Sequence, residues 1–216
     1  MALCVAAAQE HLVPEPGILA SYDEYDVMVR QVFADAYNGD VVLRVVIEPS
    51  FVPEEVVGIR KTEKGFEAFA MTPSSMIWKT ELVRITTFDK AGKKQPPEKD
   101  DSFQEFKRQT PSDIPKITAH IDSAALPALL AQRIARVWKS MLLDARHPKN
   151  PHPGLDGASY HFSMWVQNHG DISGEIWSPD ERTKTSALVN LATALSQYAK
   201  GRIDAQELPK ALKPLE

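Results

Sequence analysis

The chain has 216 residues, 43% of them hydrophobic and 25% charged, which suits one sizeable core in an ordinary globular protein. Its net charge of -4 argues against nucleic acid as a partner, because phosphate binding needs a surplus of Lys and Arg on one face. No apolar run is long enough to span a bilayer, and the single cysteine, Cys4, excludes an intrachain disulfide and a multi-thiolate zinc site.

The first eight residues, Met-Ala-Leu-Cys-Val-Ala-Ala-Ala, have the pattern of the end of a secretory h-region with a small-residue cleavage site at Ala6-Ala7-Ala8. They lack a basic n-region, so the reading is a signal remnant and a periplasmic or secreted protein. An alanine-rich frayed end in a cytoplasmic protein is the alternative. Pro14 and Pro16 then mark an extended leader, taken as residues 1–20.

From Ser21, which pairs with Glu24 as a capping box, Tyr25, Val29, Val32 or Phe33, and Ala36 recur at helical spacing, and Asn38-Gly39 supplies a stop. Residues 41–47 are nearly continuous β-branched side chains and read as a buried strand. Residues 55–62 and 66–72 flank a short Gly65 turn and read as a hairpin, and residues 76–78 and 81–88 continue the strand-like pattern. Several strands in succession before any long helix point to an antiparallel sheet rather than βαβ units.

Residues 91–115 mix charges of both signs with Pro96, Pro97 and Pro111 and read as a solvated loop. Residues 116–121 form a further strand. Asp122 or Ser123 then caps a long helix with Leu126, Leu130, Ile134, Val137 and Met141 on one face, and Arg133, Arg136 and Lys139 on the solvated side. Tyr160, Phe162, Met164 and Val166 alternate with His161, Ser163 and Trp165, as in a half-buried strand. Residues 168–170 turn the chain and residues 172–177 return. Ser178-Pro179-Asp180-Glu181, or else Thr185 or Ser186, opens the last long helix. Its Leu188, Leu191, Leu195 and Tyr198 share a face, and Gly201 ends it. Residues 202–216 are a tail with at most a short helix.

His147, His152, His161 and His169, with Asp156 among them, invite a metal reading, but no His-Glu-x-x-His or His-x-His spacing is present. No metal and no cofactor is assigned. Gly-x-Ser-x-Gly, Gly-x-Gly-x-x-Gly and the Walker loop are also absent. Asp156 and His161 remain as acid–base candidates, with Ser159, Ser163 or Ser178 to supply a hydroxyl. The crowding of Tyr160, His161, Trp165 and Trp177 is either core packing or an exposed aromatic and histidine surface that binds another protein.

The order Pro49-Ser50-Phe51 with Pro53-Glu54, Ser74-Ser75-Met76-Ile77-Trp78, Val137-Trp138-Lys139-Ser140-Met141-Leu142-Leu143, Leu155-Asp156-Gly157 with Tyr160-His161-Phe162, and Trp177-Ser178-Pro179 resembles a group of uncharacterised bacterial proteins over residues 41–201. That resemblance implies a single bacterial domain and carries no activity. The expected architecture is α+β, with one antiparallel sheet and two long amphipathic helices packed on one face across residues 21–201. The expected function is a non-catalytic, exported, inhibitor- or immunity-like protein that engages another protein. A hydrolase using Asp156 and His161, and a cytoplasmic structural or regulatory subunit, are the alternatives.

Overall fold

The computed structural model describes residues 10–15, 24–79, 116–148 and 156–216. The fold is α+β: one antiparallel seven-stranded sheet with helices packed against it. The strands are β1 (Val13–Pro14), β2 (Val41–Pro49), β3 (Glu55–Thr62), β4 (Gly65–Pro73), β5 (Ala119–Leu126), β6 (Ala158–Val166) and β7 (Gly170–Trp177). The helices are α1 (Glu24–Val32), α2 (Ala128–Leu143), α3 (Lys184–Ala199) and a short α4 (Leu208–Leu212). The strand order is β1-β7-β6-β2-β3-β4-β5. Two local meanders, β2 to β5 and β6 to β7, are therefore joined side by side through β2 and β6.

Alternation along the strands separates two apolar clusters, as the two-residue repeat of a pleated strand requires. Leu43, Val45, Val57, Ile59, Ala68, Ala70, Phe162, Met164 and Ile176 join Leu130, Ile134 and Trp138 of α2 and Leu188, Leu191 and Leu195 of α3 in the larger one. Val46, Val56, Phe69 and Met71, from the intervening positions, join Val29, Phe33 and Ala36 in the other. α1 and the 3-10 turn Ala34–Tyr37 thus cover part of the second sheet face, so the helical cover is not confined to one side. In α3, nine residues are buried, Thr185, Ser186 and Ser196 included, which leaves only a narrow polar stripe.

Polar ties fix the helices to the sheet. Glu55 of β3 accepts from the Ser196 hydroxyl at 2.5 Å and from Lys200 Nζ at 2.7 Å. The last residues belong to the same core: Leu208 and Leu212 are buried in it, and the final residue, Glu216, takes both arms of the Arg133 guanidinium at 2.9 and 2.7 Å.

Three boundaries differ from the sequence expectation. Residues 77–79 form a helical turn rather than a strand. β5 runs on through Asp122 and Ser123, expected as helix caps, because Ala124 and Leu126 still pair with Ala68 and Phe66 of β4. Pro127 then stops the ladder, since it has no N–H to give, and α2 starts behind it. α3 begins later than Ser178 and earlier than Ser186: Thr183 is the N-cap, its hydroxyl accepting from the Ser186 amide at 3.0 Å. Residues 81–88 and 91–115 lie outside the described residues.

Trp138 and Phe162 are fully buried and meet edge to face with centroids 5.0 Å apart, joining α2 to β6. Phe162→Ala removes that contact and leaves a cavity at the middle of the sheet. It should cost about 3–5 kcal/mol of unfolding free energy in a denaturant titration, whereas a loss below about 1 kcal/mol would mean that the ring is not buried as described.

Candidate functional site

On the face of β6 and β7 turned away from α2 and α3 stand Ser159, His161, Ser163 and Trp165, opposite Trp177, Glu175, Ser173 and Asp171. β2 adds Glu48, Val46 and Arg44 to the same rows. This half of the face carries polar side chains where the neighbouring half, under α1, carries apolar ones.

At its centre His161 meets three carboxylates. Its Nδ1 lies 2.7 Å from Glu15 and 3.7 Å from Glu175, and its Nε2 lies 3.2 Å from Glu48. The Nε2 contact is an ion pair without the alignment of a good hydrogen bond. Burial alone would lower the imidazole pKa. The hydrogen bond to Glu15 and the close negative charges of Glu48 and Glu15 outweigh it and raise the pKa to about 10, so the ring is an imidazolium at neutral pH. For Glu15, burial pushes upward, but His161 and the Ser173 hydroxyl hold the carboxyl below its ordinary value. Glu175 is shifted up, first by burial, with Glu15 and Glu48 repelling its charge and His161 only partly offsetting them. One oxygen or nitrogen each from Glu15, His161 and Glu175 lies within 4.8 Å of the others.

Next to this cluster, the end of β6 and β7 is built into a rigid corner. Ser50, just past β2, both donates its hydroxyl to the Gly157 carbonyl at 2.9 Å and accepts from the Gly157 amide at 3.2 Å. Ser178 holds Ala158 by a backbone bond and by its hydroxyl, each at 2.9 Å, while its own φ is +32°. A Cβ at Gly157 would fall 2.2 Å from the Ser178 hydroxyl and 2.8 Å from the Trp177 ring, so only glycine admits this close approach. The corner presents Trp177, 41% exposed, beside the loop carrying Phe51 and Val52, 75% and 56% exposed. A little further along that loop Glu54 is buried. It accepts from the Ile77 and Trp78 amides at 2.8 and 2.7 Å and from the Tyr25 hydroxyl at 3.1 Å, which anchors the loop's far end.

At the opposite end of β6, Trp165, 60% exposed, edges an open cleft of about 1290 Å³ whose walls include Arg30, Tyr37, Arg44, Arg60 and Asp171. Arg44 lies 4.2 Å over the Tyr37 ring, and burial lowers its pKa. Asp156, His161 and Trp177 are not among the residues lining this cleft.

The sequence candidates therefore divide. His161, Trp165 and Trp177 share one sheet face, with the two tryptophans near opposite ends of a row roughly 20 Å long. Tyr160 points to the other face, stacked against Phe162 at 6.5 Å and packed on the helix-side core. Asp156 is exposed at the bend before β6, while both His161 nitrogens face glutamates instead. Ser159 and Ser163 do share the His161 face, and Ser178 is engaged in the corner. His147 and His169 are exposed, and His152 lies outside the described residues. Sequence reasoning passed over Glu15, Glu48 and Glu175, which are separated along the chain, and Phe51-Val52. Two large apolar residues bracketed by Pro49 and Pro53 were the available signal for the latter. No helix among the described residues is long and apolar enough to cross a membrane.

No protein-family model matches the chain, and no curated protein or solved structure is similar to it at a significant level.

Two outcomes test this geometry. His161 gains its partners on folding, so its raised pKa contributes stability that is complete below pH 6.5 and disappears as pH rises through about 10. The difference in unfolding free energy between wild type and His161→Gln, measured without divalent cations, should therefore be greatest near pH 6.5, shrink steadily above it, and fall again in acid once Glu15 and Glu175 take up protons. A difference that grows as pH rises above 6.5 would contradict the charged clamp. Gly157→Ala should destabilise the fold by about 1–3 kcal/mol through overpacking of the corner and shift Trp177 fluorescence, and wild-type stability with an unchanged spectrum would show the corner to be looser than described.

Proposed function

We propose that this is a non-catalytic protein of bacterial type that docks on another protein, inhibitor- or immunity-like, through the apolar corner formed by Phe51, Val52 and Trp177. The observation that carries this reading is that three large apolar side chains are exposed on a support tied by hydrogen bonds at both ends. Gly157, Ser50 and Ser178 fix Trp177, and Glu54 ties the loop carrying Phe51 and Val52 to residues 77–78. A rigid aromatic side chain loses little conformational freedom on binding, which is why such anchors dominate interface energetics. The two long helices, taken as a buttress packed on one face of the sheet, leave the β6–β7 half of the opposite face open for contact, while α1 covers the other half. Beside the corner, the carboxylates of Glu15, Glu48 and Glu175 outnumber the one imidazolium they surround, so the complementary partner presents Lys or Arg around an apolar pocket.

The small-residue pattern at Ala6-Ala7-Ala8 supports export as part of this reading. A cytoplasmic regulatory subunit would use the same patch. The hydrolase reading has less to support it, since His161 is occupied by glutamates and Asp156 stands apart at an exposed bend.

Capture from an extract of the native host, with the wild-type chain and the doubly substituted Phe51→Ala, Trp177→Ala chain as parallel baits, tests the patch. A protein retained by the wild type and lost by about tenfold or more from the variant, at unchanged melting temperature, is the expected result. Equal recovery on both baits would rule the patch out.

A further inference from the structure

β1, β6 and β7 each bring one side chain to a common point: Glu15 from just past β1, His161 from β6 and Glu175 directly opposite it on β7. We propose that Glu15, His161 and Glu175 bind a divalent transition-metal ion of the zinc or manganese type, through Nδ1 of His161 and one carboxylate oxygen of each glutamate, with Glu48 orienting the imidazole from its other nitrogen.

The distances suit this. Bonds of about 2.0–2.1 Å in a tetrahedron set donors about 3.3 Å apart, and the Nδ1 separations from Glu15 and Glu175, 2.7 and 3.7 Å, bracket that value. Small side-chain rotations bring all three donors onto one ion. The donor types, one imidazole nitrogen and two carboxylate oxygens, select a borderline divalent ion rather than a thiophilic one. Both flanking carboxylates sit on the Nδ1 side, while Glu48 alone sits on the Nε2 side at 3.2 Å. With the ion on Nδ1 the ring would keep its one proton on Nε2, and a small rotation of Glu48 would let it accept from that N–H, the relation by which a second carboxylate fixes a metal-bound histidine.

Charge favours the exchange as well. The ion replaces the Nδ1 proton, which leaves to solvent, and adds one further positive charge where three carboxylates face one ring. Ser173 on Glu15, and Arg30 acting on the same carboxylate from a distance, are the groups it competes with. The side chain of Glu175 is 43% exposed, so the ion has a route in and can keep water on its open positions.

The test is calorimetric titration of the full chain with zinc chloride and with manganese chloride. The wild type should take up one ion, and His120→Ala, which removes the exposed histidine beside Asp122, should behave identically. His161→Ala should abolish uptake, and Glu175→Gln and Glu48→Gln should each weaken it by about tenfold or more. Glu175→Gln keeps the shape of the site, and its ion-free melting temperature, measured alongside, should match that of wild type closely. Weaker binding in that variant then cannot be a consequence of unfolding. The Phe51→Ala, Trp177→Ala chain should bind the ion normally, which separates this site from the docking patch. The proposal is overturned if the wild type binds neither ion, if Glu175→Gln and His161→Ala bind as well as wild type, or if binding is lost in His120→Ala instead.

Discussion

The antiparallel pairing of β2 with β6 is the contact on which the rest of the structure depends. Each partner belongs to its own local meander, and residues Leu43 to Pro49 meet residues Met164 to Ala158 across more than a hundred positions of sequence. The register puts Val45 against Phe162 on the helix side and Val46 against His161 on the other. A slip of one residue would turn Phe162 into solvent and His161 into the core beside Trp138. Burial of Phe162 against Trp138 therefore selects the same register that places Glu48 within reach of His161. The apolar face and the charged cluster are specified together, by one strand pair.

The second face shows how the sheet divides its duties. Over β3, β4 and the neighbouring part of β2, the positions turned away from α2 and α3 are Val46, Val56, Phe69 and Met71, and α1 covers them. Over β6 and β7 the corresponding positions are Ser, His, Asp, Glu and Trp. A partly buried imidazolium is tolerated there only because carboxylates surround it, since a charge removed from water without partners costs several kcal/mol or neutralises itself. The carboxylates in turn outnumber the ring three to one, and Glu175 stands furthest from it at 3.7 Å. Folding stability alone does not call for the third one.

Most of the elements were legible because their signals are local. The Gly65 turn between two β-rich runs gave the β3–β4 hairpin nearly to the residue, and the alternation around Phe162 and Met164 gave β6. The misplaced boundaries share another cause. Ser123 has the chemistry of a cap, but its backbone is claimed by the ladder to Phe69, and Ser186 is drawn into α3 because Thr183 satisfies its amide. Tertiary pairing decides between two locally acceptable readings, and no window of sequence contains it. The site was harder still. His161 and its neighbours on β6 were singled out correctly as sharing a face, but Glu15 is 146 residues away and reaches His161 only because the two residues of β1 add to the edge of β7. Tyr160 was grouped with His161 by adjacency, and adjacency in a strand places two side chains on opposite faces.

The corner at Gly157 bears on function in a different way. Ser178 holds a positive φ that an L-residue adopts at a cost of order 1 kcal/mol or more, and Gly157 admits no side chain at all. The strain at Ser178 is not needed to connect β7 to α3, because a glycine at residue 178 would turn the chain without it. What the serine supplies is its hydroxyl on the Ala158 amide, which closes the corner onto β6. Backbone strain persists where the surroundings over-determine it, and such places concentrate where a side chain must be held for contact. A tryptophan 41% exposed at a strained turn, beside the exposed Phe51 and Val52, is the arrangement on which the proposed docking surface rests.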